Sequence, residues 1–216
     1  MSTVLVTGFG NYADETDNPS GVIARRLDGR RVGGCEIVGA VLSVNTATVE
    51  TELASALDRS RPDVVVVTGV APGRTAPALE RAALNVRDFP IPDTDGREPI
   101  DEPVAADGPP AYLTTLPIKA VMDGWHRAGI PGYVSNTAGT YLCNQTFYLA
   151  RHLTAGTEVR SGMVHIPVLP ARAAQSVGPP VPSMSLDLLE EAVLVTISVS
   201  ATHAGPDLRI GAGTIS

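Results

Sequence analysis

Asp63-Val64-Val65-Val66-Val67-Thr68 is the stretch that decides the architecture. Its four β-branched valines are stiff at χ1 and pack well on a pleated surface. A run with no polar alternation fits a strand covered on both faces, which requires helices above and below the sheet. An α/β fold follows. The turn Gly69–Gly73 closes the run.

Working outward, Val4–Thr7 is a second short apolar strand, ending at Gly8. Asn18-Pro19-Ser20 opens a helix with the buried stripe Val22, Ile23 and Leu27, because Pro is favoured in a first helical turn. Glu36–Val44 reads as a strand. Thr46–Leu57 reads as a helix, with Val49, Leu53, Ala56 and Leu57 at helical spacing. Ala78–Val86 suits either type. The proline-rich, acidic stretch Pro90–Pro110 reads as a surface loop. Beyond it, Ala111–Ala128 is expected to be helical, Tyr133–Asn136 a strand, Tyr141–Leu153 a helix, Met163–Ile166 a strand and Ser185–Val199 the last helix. No repeat or linker divides the chain, so residues 1–216 are expected to form one domain, with about 204–216 as a glycine-rich flexible tail.

Apolar residues make up 44% and charged residues 18% of the chain, the composition of a globular protein with a sizeable core. The net charge of −7, with no cluster of Lys and Arg, argues against nucleic acid. No run approaches the length of a membrane span, and the start lacks the pattern of a secretory signal. Two cysteines, Cys35 and Cys143, are too few for a disulfide framework and lack zinc spacing. A reduced, cytoplasmic setting is expected.

Chemistry gathers at two places. Ser135-Asn136-Thr137-Ala138-Gly139-Thr140-Tyr141-Leu142-Cys143 sets a cysteine near a helix start, after a strand and a small-residue turn. The partial positive charge and unpaired N–H groups of a helix N-terminus favour a thiolate and can receive an oxyanion. A buried structural cysteine is the competing reading. His165, in Val164-His165-Ile166-Pro167, lies at a strand end, where α/β sheets present active groups; there it suits a general base, or equally a core histidine. Spacing does not select a third partner from the acids. Gly8-Phe9-Gly10 and Gly73-Arg74-Thr75 are read as turns in preference to phosphate loops.

Taken together the chain resembles the pyroglutamyl peptidase I family from about Val4 to the last helix. The match rests on Ser135–Asn144, on Asn18-Pro19-Ser20, on Gly73-Arg74 with Glu80-Arg81, and on Ile91-Pro92-Asp93. Gly108-Pro109-Pro110-Ala111-Tyr112, Leu116-Pro117, His165-Ile166-Pro167 and Pro182–Asp187 extend it. The resemblance implies a three-layer αβα sandwich with a mixed twisted sheet. It also implies a Cys143–His165–Glu80 triad, no cofactor, peptides with N-terminal pyroglutamate as substrates, and a homotetramer. A lactam slot is implied at Phe9, Tyr12, Thr46, Ile91, Tyr141 and Leu142. Its departures cluster around the substrate. Asn11-Tyr12-Ala13 replaces a usual Pro-Phe-Gly, Val70 a glutamine, Pro72 a glycine and Pro90 an arginine, with Arg87 read as a surface residue. Two alternatives therefore stand beside a pyroglutamyl exopeptidase: a cysteine amidohydrolase for another lactam or N-acyl amide, and a binding protein without catalysis.

Overall fold

The computed structural model describes residues 2–12 and 18–213. The strands are β1 (Ser2–Phe9), β2 (Arg31–Val32), β3 (Cys35–Leu42), β4 (Val64–Val70), β5 (Ala78–Leu84), β6 (Ala111–Leu113), β7 (Tyr133–Thr137) and β8 (Arg160–Ile166). The helices are α1 (Pro19–Leu27), α2 (Val49–Ser60), α3 (Ile118–Arg127), α4 (Leu142–Leu153), α5 (Pro170–Ala174) and α6 (Leu186–Thr202). All strands join one sheet, in the order β2-β3-β1-β4-β8-β5-β6, with β7 paired to β5.

The valine run is β4, at the centre of that sheet, parallel to β1 on one side and to β8 on the other. Its side chains divide between two cores. Val64 and Val66 pack with Ile23, Leu27, Val121, Trp125 and Leu189 from α1, α3 and α6. Val65 and Val67 pack with Val49, Leu53, Phe147 and Leu149 from α2 and α4. The unbroken apolar run is thus the signature of a middle layer, and the three-layer αβα expectation holds. None of the helices among the described residues is long and apolar enough to cross a membrane.

Glycine in Gly8-Phe9-Gly10 serves packing. A Cβ on Gly8 would stand 2.1 Å from the carbonyl oxygen of Ser20, so α1 lies on β1 at backbone contact. Asn18 caps α1, its side chain accepting from the Ser20 backbone.

One expectation needs correction, and one open reading is resolved. The helix over Ala111–Ala128 begins only at Ile118; Ala111–Leu113 is an edge strand pairing antiparallel with β5 through Ala82↔Leu113 and Leu84↔Ala111. An unpaired edge on β5 overrides local helical preference there, and Pro117 sets the later start. The ambiguous stretch from Ala78 is β5, whose residues 78–82 lie against β7; β8 and then β6 fill its other edge. Between residues 85 and 110 the chain holds no helix or strand, only the isolated bridge Arg87↔Glu102, as its prolines suggest.

The segment after His203, expected to be mobile, carries an anchor; residues 214–216 lie outside the described residues. The N-cap of α3 is Pro117, which offers no side-chain acceptor. Asp207 supplies it from a distance, accepting from the backbone N–H of Lys119 at 2.9 Å and of Ala120 at 3.0 Å. Asp207→Ala is expected to cost about 1 kcal/mol, the usual worth of a helix cap. In a urea titration the midpoint would fall at unchanged slope, and an unchanged midpoint would mean that water caps α3 as well.

Candidate active site

The sheet register assembles the site. His165 on β8 lies between Gly69 of β4 and Ala78 of β5. Glu80, two residues further along β5, is paired with Met163, so it lies diagonally from His165 on the same sheet face. Both are buried, and His165 Nδ1 is 2.7 Å from Glu80 Oε1. Glu80 Oε1 also accepts from Arg74 Nη2 at 3.0 Å, while Oε2 has no hydrogen-bond partner. Burying a carboxylate is costly without such a counter-charge. Arg74 is held in turn by the Tyr133 hydroxyl at 2.7 Å and Ser135 Oγ at 3.3 Å. Its position in a turn masked this work; the available cue was a positive charge six residues before the glutamate of the next strand.

Cys143 comes from the layer above. It is the second residue of α4, partly exposed, in a first turn with no acidic residue and with an N-cap, Tyr141, that makes no side-chain cap. The first N–H groups of that helix have no intrahelical acceptor. Gly69 forms the floor: a Cβ there would stand 2.7 Å from Cys143 Sγ, so glycine is required for the approach. Cys143 and Glu80 are the groups that act on the imidazole, and since Nδ1 is committed to Glu80, Nε2 is the atom left to face the sulfur. Burial alone would lower the His165 pKa, but Cys143 and Glu80 outweigh it and lift the value to about 9. A thiol, an imidazole and a carboxylate thus stand in series, an arrangement that can serve acyl transfer through a thiolate.

Sequence reasoning missed the two residues that fix this helix. Asn144, fully buried, accepts from Leu84 N at 2.8 Å and donates to the carbonyls of Leu84 and Val86 at 2.9 and 3.0 Å. Gln145 Nε2 donates to the Thr46 carbonyl at 2.9 Å. Two adjacent carboxamides at the start of the helix, ahead of its apolar middle, were the available signal.

A cleft of about 770 Å³ opens at Cys143. Phe9, Tyr12, Ile91, Tyr141 and Leu142 line it, together with Val70 and Pro72. Thr46 does not reach the cleft wall. It lies buried behind it, its hydroxyl donating to Gln145 Oε1 at 2.7 Å and its N–H to Asp93 at 2.9 Å. Asp93 also accepts from the N–H groups of Asp95 and Arg97; burial works to raise its pKa, and these backbone bonds hold it below the usual carboxylate value. Arg87, expected on the surface, turns inward, donating to Thr46 Oγ1 at 3.2 Å and to Glu102 at 3.0 Å. The bridge to Glu102 folds the loop back so that its guanidinium covers the Thr46 network, while Pro90 is exposed.

Comparison with known proteins gives a consistent result. A family model described as pyroglutamyl peptidase matches residues 2–203. A pyrrolidone-carboxylate peptidase of Vibrio campbellii is 43% identical over 215 residues, covering all of both chains. One from Pyrococcus furiosus is 41% identical, covering 91% of this chain and 97% of its own. Among solved structures, the pyrrolidone carboxyl peptidase of Thermococcus litoralis superposes with a TM-score of 0.94 at 33% identity, over 98% of this chain and 100% of its own. A mutant form from P. furiosus gives 0.91 at 40% identity, over 93% and 99%.

Proposed function

The chain belongs to the pyroglutamyl peptidase family, and from that premise we propose how its cleft hydrolyses the amide that joins an N-terminal pyroglutamyl residue to a peptide. The observation that carries the reading is the buried Glu80–His165 bond of 2.7 Å leading to Cys143 at the cleft floor.

His165 takes the Cys143 proton, and the thiolate attacks the carbonyl carbon of the pyroglutamyl residue. The resulting oxyanion is received by backbone N–H groups of the first turn of α4. The tetrahedral species collapses; the C–N bond breaks and His165 Nε2 passes its proton to the leaving amine. A water molecule then attacks the thioester, giving a proton to His165, and 5-oxoproline leaves as the thiol is restored. Glu80 keeps Nδ1–H in place throughout and stabilises the imidazolium. The chemistry uses no cofactor.

The apolar lining explains the preference. A flat, uncharged lactam enters a slot of Phe9, Tyr12, Ile91, Tyr141 and Leu142. A prolyl terminus has a ring of the same size but carries a charged amine, which is costly to bury without a partner. The substrates are peptides beginning with pyroglutamate, and we place the reaction in the cytoplasm with the enzyme as a homotetramer.

The test compares release of a fluorescent amine from pyroglutamyl- and prolyl-amides under reducing conditions. The pyroglutamyl compound is expected to react at least about 100-fold faster, the equivalent of about 2.7 kcal/mol. Equal rates, or a folded protein inert on both, would remove the reading and favour a different acyl group or a binding role.

A further inference from the structure

Two tyrosine hydroxyls converge on one carbonyl above the cleft. Tyr12, three residues beyond β1, donates to the Pro92 oxygen at 2.6 Å, and Tyr141, the N-cap of α4, donates to the same oxygen at 3.0 Å. A carbonyl oxygen has two lone pairs, so both bonds are allowed at once. Burial, and then the neighbouring Tyr12, push the Tyr141 hydroxyl above its usual pKa, which keeps it a donor throughout the working range.

Pro92 follows Ile91, whose side chain lines the cleft. The segment is already fastened on the α4 side. Asp88 N–H donates to the Thr140 carbonyl at 3.2 Å, Thr140 Oγ1 donates back to the Asp88 carbonyl at 2.7 Å, and the Phe89 ring lies 4.5 Å from that of Tyr141. The Tyr12 bond adds a tie across the cleft, from the loop beyond β1. Pro92 thus joins Tyr12 to Tyr141, and the Ile91–Pro92 segment between them serves as the roof of the proposed slot.

We propose that the Tyr12 hydroxyl is a specificity-determining group that fixes the height of the slot and so restricts it to a five-membered lactam. The inference rests on the reaction proposed above. A six-membered lactam is one methylene larger and puckered, and it enters only if the roof lifts. Lifting breaks the Tyr12–Pro92 bond, so that bond is charged against the larger ring and not against the flat one. A pocket wall alone distinguishes one methylene by about 10- to 200-fold, and the tie adds to that discrimination.

The test is steady-state kinetics of wild type and Tyr12→Phe on two amides of the same fluorescent amine, one carrying pyroglutamate and one its six-membered homologue, 6-oxopiperidine-2-carboxylate. Phenylalanine keeps the ring and removes only the hydroxyl. For the pyroglutamyl amide we expect kcat within about two-fold of wild type and KM raised about three-fold, since the roof is less ordered before binding. The ratio of kcat/KM for the five- over the six-membered substrate is expected to fall about five-fold or more, as suits the loss of one hydrogen bond. A general structural defect would lower both substrates alike; an unchanged ratio overturns the inference. Wild type that cleaves neither amide would overturn the proposed function instead, so the two failures are distinguishable.

Discussion

Cys143→Ala is expected to abolish turnover, lowering kcat/KM on a pyroglutamyl amide by at least about 10⁴-fold while the protein keeps its fold. The loss is large because the covalent step has no substitute: His165 and the helix N-terminus cannot attack the carbonyl themselves, and removal of a nucleophile from such a unit typically costs about 10⁶-fold. The fold should tolerate the change because the side chain is only partly buried, at the edge of the core over Gly69, and alanine removes a single atom. Asn144 and Gln145 go on holding α4 to β5 and to Thr46. The measurements are initial rates beside a thermal melt. A variant that melts like wild type and retains a tenth of its activity would exclude Cys143 as the nucleophile.

Glu80→Gln is expected to lower kcat by about 10²- to 10⁴-fold with KM within about three-fold, because the substrate touches Cys143 and the cleft wall but not the carboxylate. Glutamine preserves shape and can still accept from Nδ1, so the loss isolates the charge. Its pH signature has a definite sign. His165 is raised from an ordinary value near 6.5 to about 9, so the imidazolium that must protonate the leaving amine persists to that pH. The same group stabilises the native state fully below about 6.5 and gives that contribution up as pH rises toward 9. Removing the Glu80 charge removes one of the causes of the shift. The alkaline limb of the kcat/KM profile, expected near 9 in wild type, should therefore move to lower pH in Glu80→Gln. An unmoved limb with a reduced kcat would assign Glu80 to holding the ring's position alone.

How much of this was legible depended on whether the signal was local. Val64–Val67 announced a middle layer because both faces of one strand must be covered, and the structure divides those valines between two cores. Cys143 and His165 stood out because a helix start and a strand end are themselves visible in sequence. Glu80 was reached through family resemblance and not through periodicity. Its partner meets it across an antiparallel pairing 85 residues away, and its own strand could be read as a helix. Ala111–Leu113 failed for the same reason, since a strand made by an available edge has no local mark. Thr46 was assigned to the slot but serves the scaffold behind it, a difference of which way one side chain faces. Arg74 was quoted as part of a motif yet given no role, because its partners Tyr133 and Ser135 lie about 60 residues on.

The strand order also governs when during synthesis the enzyme can become active. The half of the sheet formed by β2, β3, β1 and β4 is complete once Val70 has been made, and its contacts are comparatively short in sequence. The other half cannot close in that way: β4 waits for β8, and β5 is held between β7 and β8, both of which come later in the chain. Domains emerging N-terminus first fold what they can, and distant pairings are the slow ones. A nascent chain shorter than about Ile166 therefore carries a cysteine on α4 with no imidazole beside it, and a glutamate still awaiting its strand. The strand latest in the chain is thus the one that joins the two halves of the sheet and brings His165 to Glu80.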